Sequence, residues 1–310
     1  MMKTEEMRFS AYEDACLHAQ LWMPDEAPRA VVQIVHGMTE HIGRYEALAQ
    51  ALTAHGIAVA GYDLRGHGQN KGDPRIASLG EGGWDSSLMD MQLFARLLSQ
   101  RFADIPRIWL GFSLGSFLLR EYLNRCEDDA AGVIIMGTGD QPGLVLSILA
   151  AIIKGQIAKA SFDGTTPLVR KLSFGTYNQK FAPNRTPSDW LCADAAQLDA
   201  YLSDPLCRRD ISAGLFYQLL CAMKRTGSPG AYRGWRKDVP VLLVSGGNDP
   251  VGDFGKGVVH VGTAMKAAGM ENVQLQLFHG ARHDLLHEED TGSAAQARML
   301  LEQWIEQNCL

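Results

Sequence analysis

A serine set between glycines, with an aspartate and a histidine far downstream, is the arrangement from which nucleophilic acyl transfer is built. The pentapeptide Gly111-Phe112-Ser113-Leu114-Gly115 supplies the first part. A serine hydroxyl is a weak nucleophile at neutral pH; a histidine must accept its proton, and a carboxylate must orient that histidine. The flanking glycines leave room for a sharp strand-to-helix turn that presents Oγ. A helix starting behind Ser113 aims its first N–H groups at a developing oxyanion. The pattern alone is compatible with an ordinary turn, so context matters. An apolar run at 107–111 precedes it, and apolar residues at helical spacing over 114–124 follow.

Both partners are expected after the serine, on loops that leave later strands. Asp249 stands in Gly246-Gly247-Asn248-Asp249-Pro250, after the apolar run 241–245, and His283 follows a strand ending at Phe278. Asp249 also suits a plain turn before proline, and Asp253 is a rival acid four residues on. His279 and His287 flank His283 in an H-x3-H-x3-H row, a spacing that could ligate zinc from one helix face. Gly280 and the loop position interrupt such a helix, and no HExxH motif is present, so no metal is expected. The oxyanion donors expected are the N–H of Leu114 and, from the loop after His36-Gly37, that of Met38. His36-Gly37 also reads as a simple strand end.

The elements that must carry these residues alternate along the chain. Strands are expected at 15–22, 30–35, 57–62, 107–111, 132–136, 239–245 and 273–278. Helices are expected at 45–55, 84–102, 114–124, 255–268 and 293–307. Alternation of this kind predicts an α/β fold, a mostly parallel central sheet with helices on both faces, opening with an antiparallel strand. Residues 139–233 break the rhythm, with apolar helical stretches at 144–157 and 215–223 around a middle containing proline and asparagine. They read as an inserted helical cap, with the core spanning 1–138 and 234–310.

Composition narrows the functions. The 310 residues are 46% hydrophobic and 21% charged, ordinary values for a folded globular chain. A net charge of -6 and scattered basic residues argue against a nucleic-acid partner. Six cysteines without a CxxC pair suit free thiols, and the first fifteen residues lack the order of a secretory signal; both fit the cytoplasm. The apolar stretch 143–153 is about half of a bilayer span, so contact with a membrane is expected to be at most a transient one through the cap. Two glycine clusters, from Gly66 and from Gly137, each miss the dinucleotide fingerprint by one position, so no cofactor is expected.

Several segments together resemble the monoacylglycerol lipase and lysophospholipase-like branch of the α/β hydrolases. They are His36-Gly37-Met38-Thr39-Glu40-His41 with Arg44-Tyr45, Asp63-Leu64-Arg65-Gly66-His67-Gly68, the Ser113 pentapeptide, Asn248-Asp249-Pro250-Val251, and His279-Gly280-Ala281-Arg282-His283-Asp284. Within the cap, 174–178, Asp189-Trp190-Leu191 and 201–205 are similar to bacterial members labelled lysophospholipase. Asn70 and Ser116 depart from residues frequent in that branch. The resemblance implies Ser113 as nucleophile, Asp249 as acid, His283 as base, and Met38 and Leu114 as oxyanion donors, the same residues reached above. It implies hydrolysis of carboxylic esters, small or single-chain lipid-like, through an acyl-enzyme. Two other readings stand beside it. A serine aminopeptidase of the same fold would need a cap carboxylate cluster, for which Asp189, Asp194, Asp199 and Asp204 are candidates. A non-catalytic hydrolase fold used for binding would usually have lost part of the triad. The cap stretch 144–153, apolar all round, is expected to line an acyl pocket or touch lipid.

Overall fold

The computed structural model describes residues 2–310. Uninterrupted apolar runs become strands buried on both faces, because only a strand with helices above and below has no polar side to present. β3 (Ala30–Val35), β4 (Ile57–Tyr62), β5 (Arg107–Phe112), β6 (Gly132–Met136) and β7 (Val241–Gly246) are buried at every residue. With β1 (Lys3–Ser10), β2 (Cys16–Met23) and β8 (Val273–Phe278) they form one eight-stranded sheet, in the order β1-β2-β4-β3-β5-β6-β7-β8. β1 pairs antiparallel with β2, and β2 with β4; all other pairings are parallel.

The antiparallel opening expected from the sequence is therefore present, but it has one more strand than expected. β1 reads Lys-Thr-Glu-Glu-Met-Arg-Phe-Ser, and only Phe9 is buried. Such an edge strand carries charge in place of apolar alternation, which keeps its free edge from pairing with other chains.

α1 (Glu46–Thr53) and α9 (Ser293–Asn308) cover one face of the sheet, closing a core with Ile34, Val59, Leu110 and Leu301. α2 (Gly83–Arg101), α3 (Leu114–Arg125) and α8 (Lys256–Ala267) cover the other, over Val31, Trp109, Ile135 and Leu243. The register aligns Val35 with Gly111, Phe112 with Met136, and Gly246 with Phe278. The carboxyl ends of β3, β5, β7 and β8 thus share one rim, and the loops bearing Met38, Ser113, Asp249 and His283 all leave from it. In open parallel sheets this rim is where ligands bind.

Between β6 and β7 the chain leaves the sheet to form α4 (Gly143–Ala160), α5 (Pro167–Ser173), α6 (Ala195–Ser203) and α7 (Ala213–Thr226). α5 and α6 were not legible as helices. Both are short and begin at side-chain caps, Thr166 accepting from Val169 N and Asp194 from Gln197 N. The excursion is tied back by a parallel bridge of Ile76–Ala77 to Asp210–Ile211. Buried Arg120 on α3 also holds it, donating to the carbonyls of Gly139 and Thr226 and to the Tyr232 hydroxyl. α4 is the outlier: 18 residues with a mean hydropathy of 1.5, yet 11% buried. By length and composition it could cross a membrane; in the fold it lies on the outside of the excursion, packed along α7.

Candidate active site

Ser113 occupies the turn between β5 and α3 with φ 50 and ψ -116, a conformation an L-residue adopts only under strain. Close packing imposes it. A Cβ on Gly115 would stand 1.9 Å from the Val35 carbonyl oxygen, and one on Gly111 would lie 2.8 Å from the Gly115 carbonyl. Only glycine at both places lets α3 start hard against β3. The Ser113 N–H donates to the Met136 carbonyl at 3.0 Å, fixing the turn to the next strand. Ser116, a departure from the family pattern, returns its hydroxyl to the Ser113 carbonyl at 2.6 Å and so adds to the turn. Asn70, the other departure, is structural: it accepts from His18 N and donates to the Asp63 carbonyl.

Three of the expected residues meet. His283 Nε2 lies 2.9 Å from Ser113 Oγ, and His283 Nδ1 lies 2.8 Å from Asp249 Oδ2. Asp249 is fully buried; its Oδ1 accepts the Val251 N–H at 2.8 Å and its Oδ2 the Ser245 hydroxyl at 3.2 Å. Asp253 sits in a left-handed turn, exposed, with no hydrogen bond to His283. Burial disfavours a charge on His283, but the carboxylates of Asp249, foremost, and of Asp284 and Glu40 together outweigh it and leave the imidazole pKa raised. With the proton on Nδ1, facing Asp249, Nε2 is left free to accept from Ser113.

Met38 lines the cavity at Ser113, and Leu114 follows Ser113 directly; neither amide has an acceptor among the described residues. The loop that carries Met38 is held by a network that sequence reasoning did not find. Glu40 accepts the Gly37 N–H at 2.6 Å and the Tyr45 hydroxyl at 2.8 Å. Arg44 then bridges Glu40 at 2.6 Å and Asp284 at 2.7 Å, and Asp284 also engages His287 at 2.7 Å. Arg44 therefore couples the Met38 loop to the His283 loop. Burial would raise the Asp284 pKa, but Arg44 and His287 hold it well below the carboxylate range. The available signal was the Glu40, Arg44 and Tyr45 set, noted for its resemblance without any role.

The histidine row does not gather into a metal site. His283 faces Ser113, His287 is engaged by Asp284 and the Arg44 carbonyl, and His279 is exposed. Among the described residues one other donor set lies close together: His41, Asp204 and Cys207, whose ligand atoms are within 4.8 Å of one another, with His41 already bonded to Asp204 at 2.9 Å.

The cavity at Ser113 is small, 60 Å³, and lined by Met38, Phe112, Phe174, Trp190, Leu191 and Tyr201 with the polar groups just described. No residue of α4 lines it, so of the two roles expected for that stretch, pocket wall or lipid contact, the structure does not show the first. α4 buries Leu146 and Ile153, both in the core cluster that also holds Leu215, Leu219 and Ala222 of α7, the helix it packs along. A much roomier groove of 940 Å³ exists at the opposite, amino ends of β5 and β6, beside Arg107 and Trp235, far from this chemistry.

Comparison with known proteins agrees with this picture. A family model described as serine aminopeptidase, S33, matches residues 26–290. Monoglyceride lipase of Rattus norvegicus is 26% identical over 285 residues, covering 88% of this chain and 81% of the relative. Monoacylglycerol lipase of Mycolicibacterium smegmatis is 27% identical over 280 residues, covering 87% and 86%. A carboxyl esterase from Bacillus coagulans superposes over 100% of both chains with a TM-score of 0.89 at 22% identity. A monoglyceride lipase from Saccharomyces cerevisiae does so over 99% of this chain and 95% of its own, with a TM-score of 0.77 at 19% identity. At those identities the superpositions speak for the fold. The family match, across most of the chain, speaks for descent: this protein belongs to the serine aminopeptidase S33 family of α/β hydrolases, in its monoglyceride-lipase-like branch.

Proposed function

We propose that the chain hydrolyses carboxylic esters through an acyl-enzyme on Ser113. The observation that carries this is the unbroken hydrogen-bond chain from Ser113 Oγ through His283 to buried Asp249, at 2.9 and 2.8 Å. Nε2 of His283 takes the serine proton as Oγ adds to the ester carbonyl, and Asp249 stabilises the imidazolium that results. The Met38 and Leu114 N–H groups receive the oxyanion. His283 then gives its proton to the leaving alcohol, and a water activated by the same imidazole releases the acid.

The substrate class we infer is a monoglyceride, a lysolipid or a comparable single-chain ester; the names of the relatives support it. We read residues 139–233 as a cap over the site. Its α4 face, with Leu144, Val145, Ile148 and Ile152 exposed, suits transient contact with a membrane surface. The six unpaired cysteines suit a reducing cytoplasm.

The cap acids give the peptidase reading no support. Asp189 accepts from Arg185 N and Thr186, Asp194 caps α6, Asp199 pairs with Arg185, and Asp204 with His41. Each already has a partner in the fold, and none of the four lines the cavity at Ser113. The experiment is a side-by-side panel of p-nitrophenyl esters, monoglycerides, lysophospholipids and aminoacyl amides, run with fluorophosphonate labelling of wild type and Ser113→Ala. Ester turnover and labelling lost together in the variant are expected. Turnover of amides alone, or labelling that survives the substitution, would overturn the reading.

A further inference from the structure

The His283 ring touches two aromatic rings. One is Phe112 of β5, centroid to centroid 4.9 Å and tilted 34°; the other is Trp190 of the excursion, at 5.2 Å and 36°. Phe112 belongs to a fully buried strand and is fixed where it stands. Trp190 belongs to a loop and is itself held by aromatic neighbours, Phe174 stacked at 5.6 Å and Tyr177 edge-on at 4.9 Å. It is 5% exposed. The space that remains at Ser113, 60 Å³, is room for about two water molecules, whereas sites for small organic ligands run to roughly 300 Å³ or more.

The leaving alcohol must come within hydrogen-bond reach of His283 Nε2, since that nitrogen returns the proton to it. Its carbon substituent then has to enter the cavity beside Ser113 and His283, and among the residues lining that cavity Trp190 is the one from the excursion whose ring packs on the imidazole. We infer that Trp190 sets the size limit for the leaving alcohol: small alcohols fit beside it, and larger ones bind only by displacing the indole from His283 against its packing on Phe174 and Tyr177. The inference rests on the ester-hydrolase reading for the identity of the leaving group. It adds a residue that selects among esters and acts by occupying space.

The test uses the full chain and two readouts. The first is kcat/KM for a series of butanoate esters that differ only in the alcohol: methyl, glyceryl, benzyl and naphthylmethyl. Trp190→Ala is expected to raise the naphthylmethyl-to-methyl ratio at least about tenfold, the scale on which a pocket discriminates by size. Trp190→Phe, which keeps a smaller ring on His283, is expected between the two. The second readout is the rate of covalent labelling of Ser113 by methylphosphonate esters that differ only in the departing aryloxide, phenoxide or naphthoxide, which needs Ser113 and room for the leaving group but no ester turnover. The same shift in ratio is expected there. A labelling ratio unchanged in Trp190→Ala overturns the size-limit role whatever the esters show. A labelling ratio that shifts while no ester is hydrolysed by any variant sustains the role of Trp190 and defeats the ester reading instead.

Discussion

Replacing Asp249 by asparagine should cripple turnover through the tautomer of His283 and leave the fold standing. The hydrogen bonds fix which way the new amide points. Val251 donates its N–H to Oδ1 at 2.8 Å, so the amide oxygen must take that position and the NH2 must take the position of Oδ2. That places a donor 2.8 Å from His283 Nδ1, where the carboxylate was an acceptor. Nδ1 must then carry no proton, and the neutral imidazole keeps its proton on Nε2, facing Ser113 with a donor where the reaction needs an acceptor. The cost in kcat expected from a mis-set tautomer is about 10⁴, or roughly 5.5 kcal/mol of transition-state stabilisation. Because Asp249 holds the His283 pKa up, its neutralisation should also move the acidic limb of the pH–kcat/KM profile downward. Asp253→Asn is the control: the residue is exposed and at φ 47, which asparagine tolerates, so its rate should stay near wild type. The assay is initial-rate hydrolysis of p-nitrophenyl butanoate across pH, with a thermal melt for each variant. An Asp249→Asn protein that melts like wild type and keeps more than about a tenth of its kcat would refute the reasoning, as would an Asp253→Asn protein equally impaired.

Gly115→Ala should fail to give a stable protein, since its Cβ would stand 1.9 Å from the Val35 carbonyl; an unchanged melting temperature would show that α3 can slide away from β3. Stability should fall on acidification through two buried histidines that burial keeps neutral: His36, whose pKa is lowered, and His67, lowered to about 3. A histidine depressed in the folded state contributes fully above its unfolded pKa of about 6.5, and loses that contribution as pH falls below it, at up to about 1.4 kcal/mol per pH unit. Urea midpoints should therefore drop between neutral pH and about pH 4.5 and drop less in His67→Gln; a flat wild-type profile would refute this. Ile148→Asp, at a position 55% exposed on α4, should change stability by no more than about 0.5 kcal/mol while weakening cosedimentation with lipid vesicles, and unaltered vesicle binding would remove α4 as the contact face.

The core was legible in the sequence because its signals are local. A buried parallel strand is an unbroken apolar run, and the 30–35, 57–62 and 132–136 runs became β3, β4 and β6 without adjustment. The turn at Ser113 was legible for a similar reason, since the glycines it needs are adjacent to it. What stayed hidden depends on partners distant in the chain. β1 is defined by eight residues of β2 opposite it and not by its own hydrophobicity. The Arg44 bridge spans from Glu40 to Asp284, and nothing in the spacing of those residues says they meet. Trp190 is the clearest instance. Along the chain it opens a short apolar run, Trp190 to Ala193, after a polar stretch, and nothing in that spacing says that its ring meets His283; two segments anchor it there. Asp284 N–H donates to the Leu191 carbonyl at 2.7 Å, and Arg282 reaches the Cys192 carbonyl at 3.3 Å. Those bonds fasten the Trp190 loop to the residues on either side of His283, so a displacement of the indole by a large alcohol has to work against the same loop that carries His283. On the proposed mechanism, size selection and positioning of the base are mechanically coupled. A variant that loosens the fastening, such as Arg282→Ala, should then relax alcohol selectivity and lower kcat together, whereas Trp190→Ala should act on selectivity first.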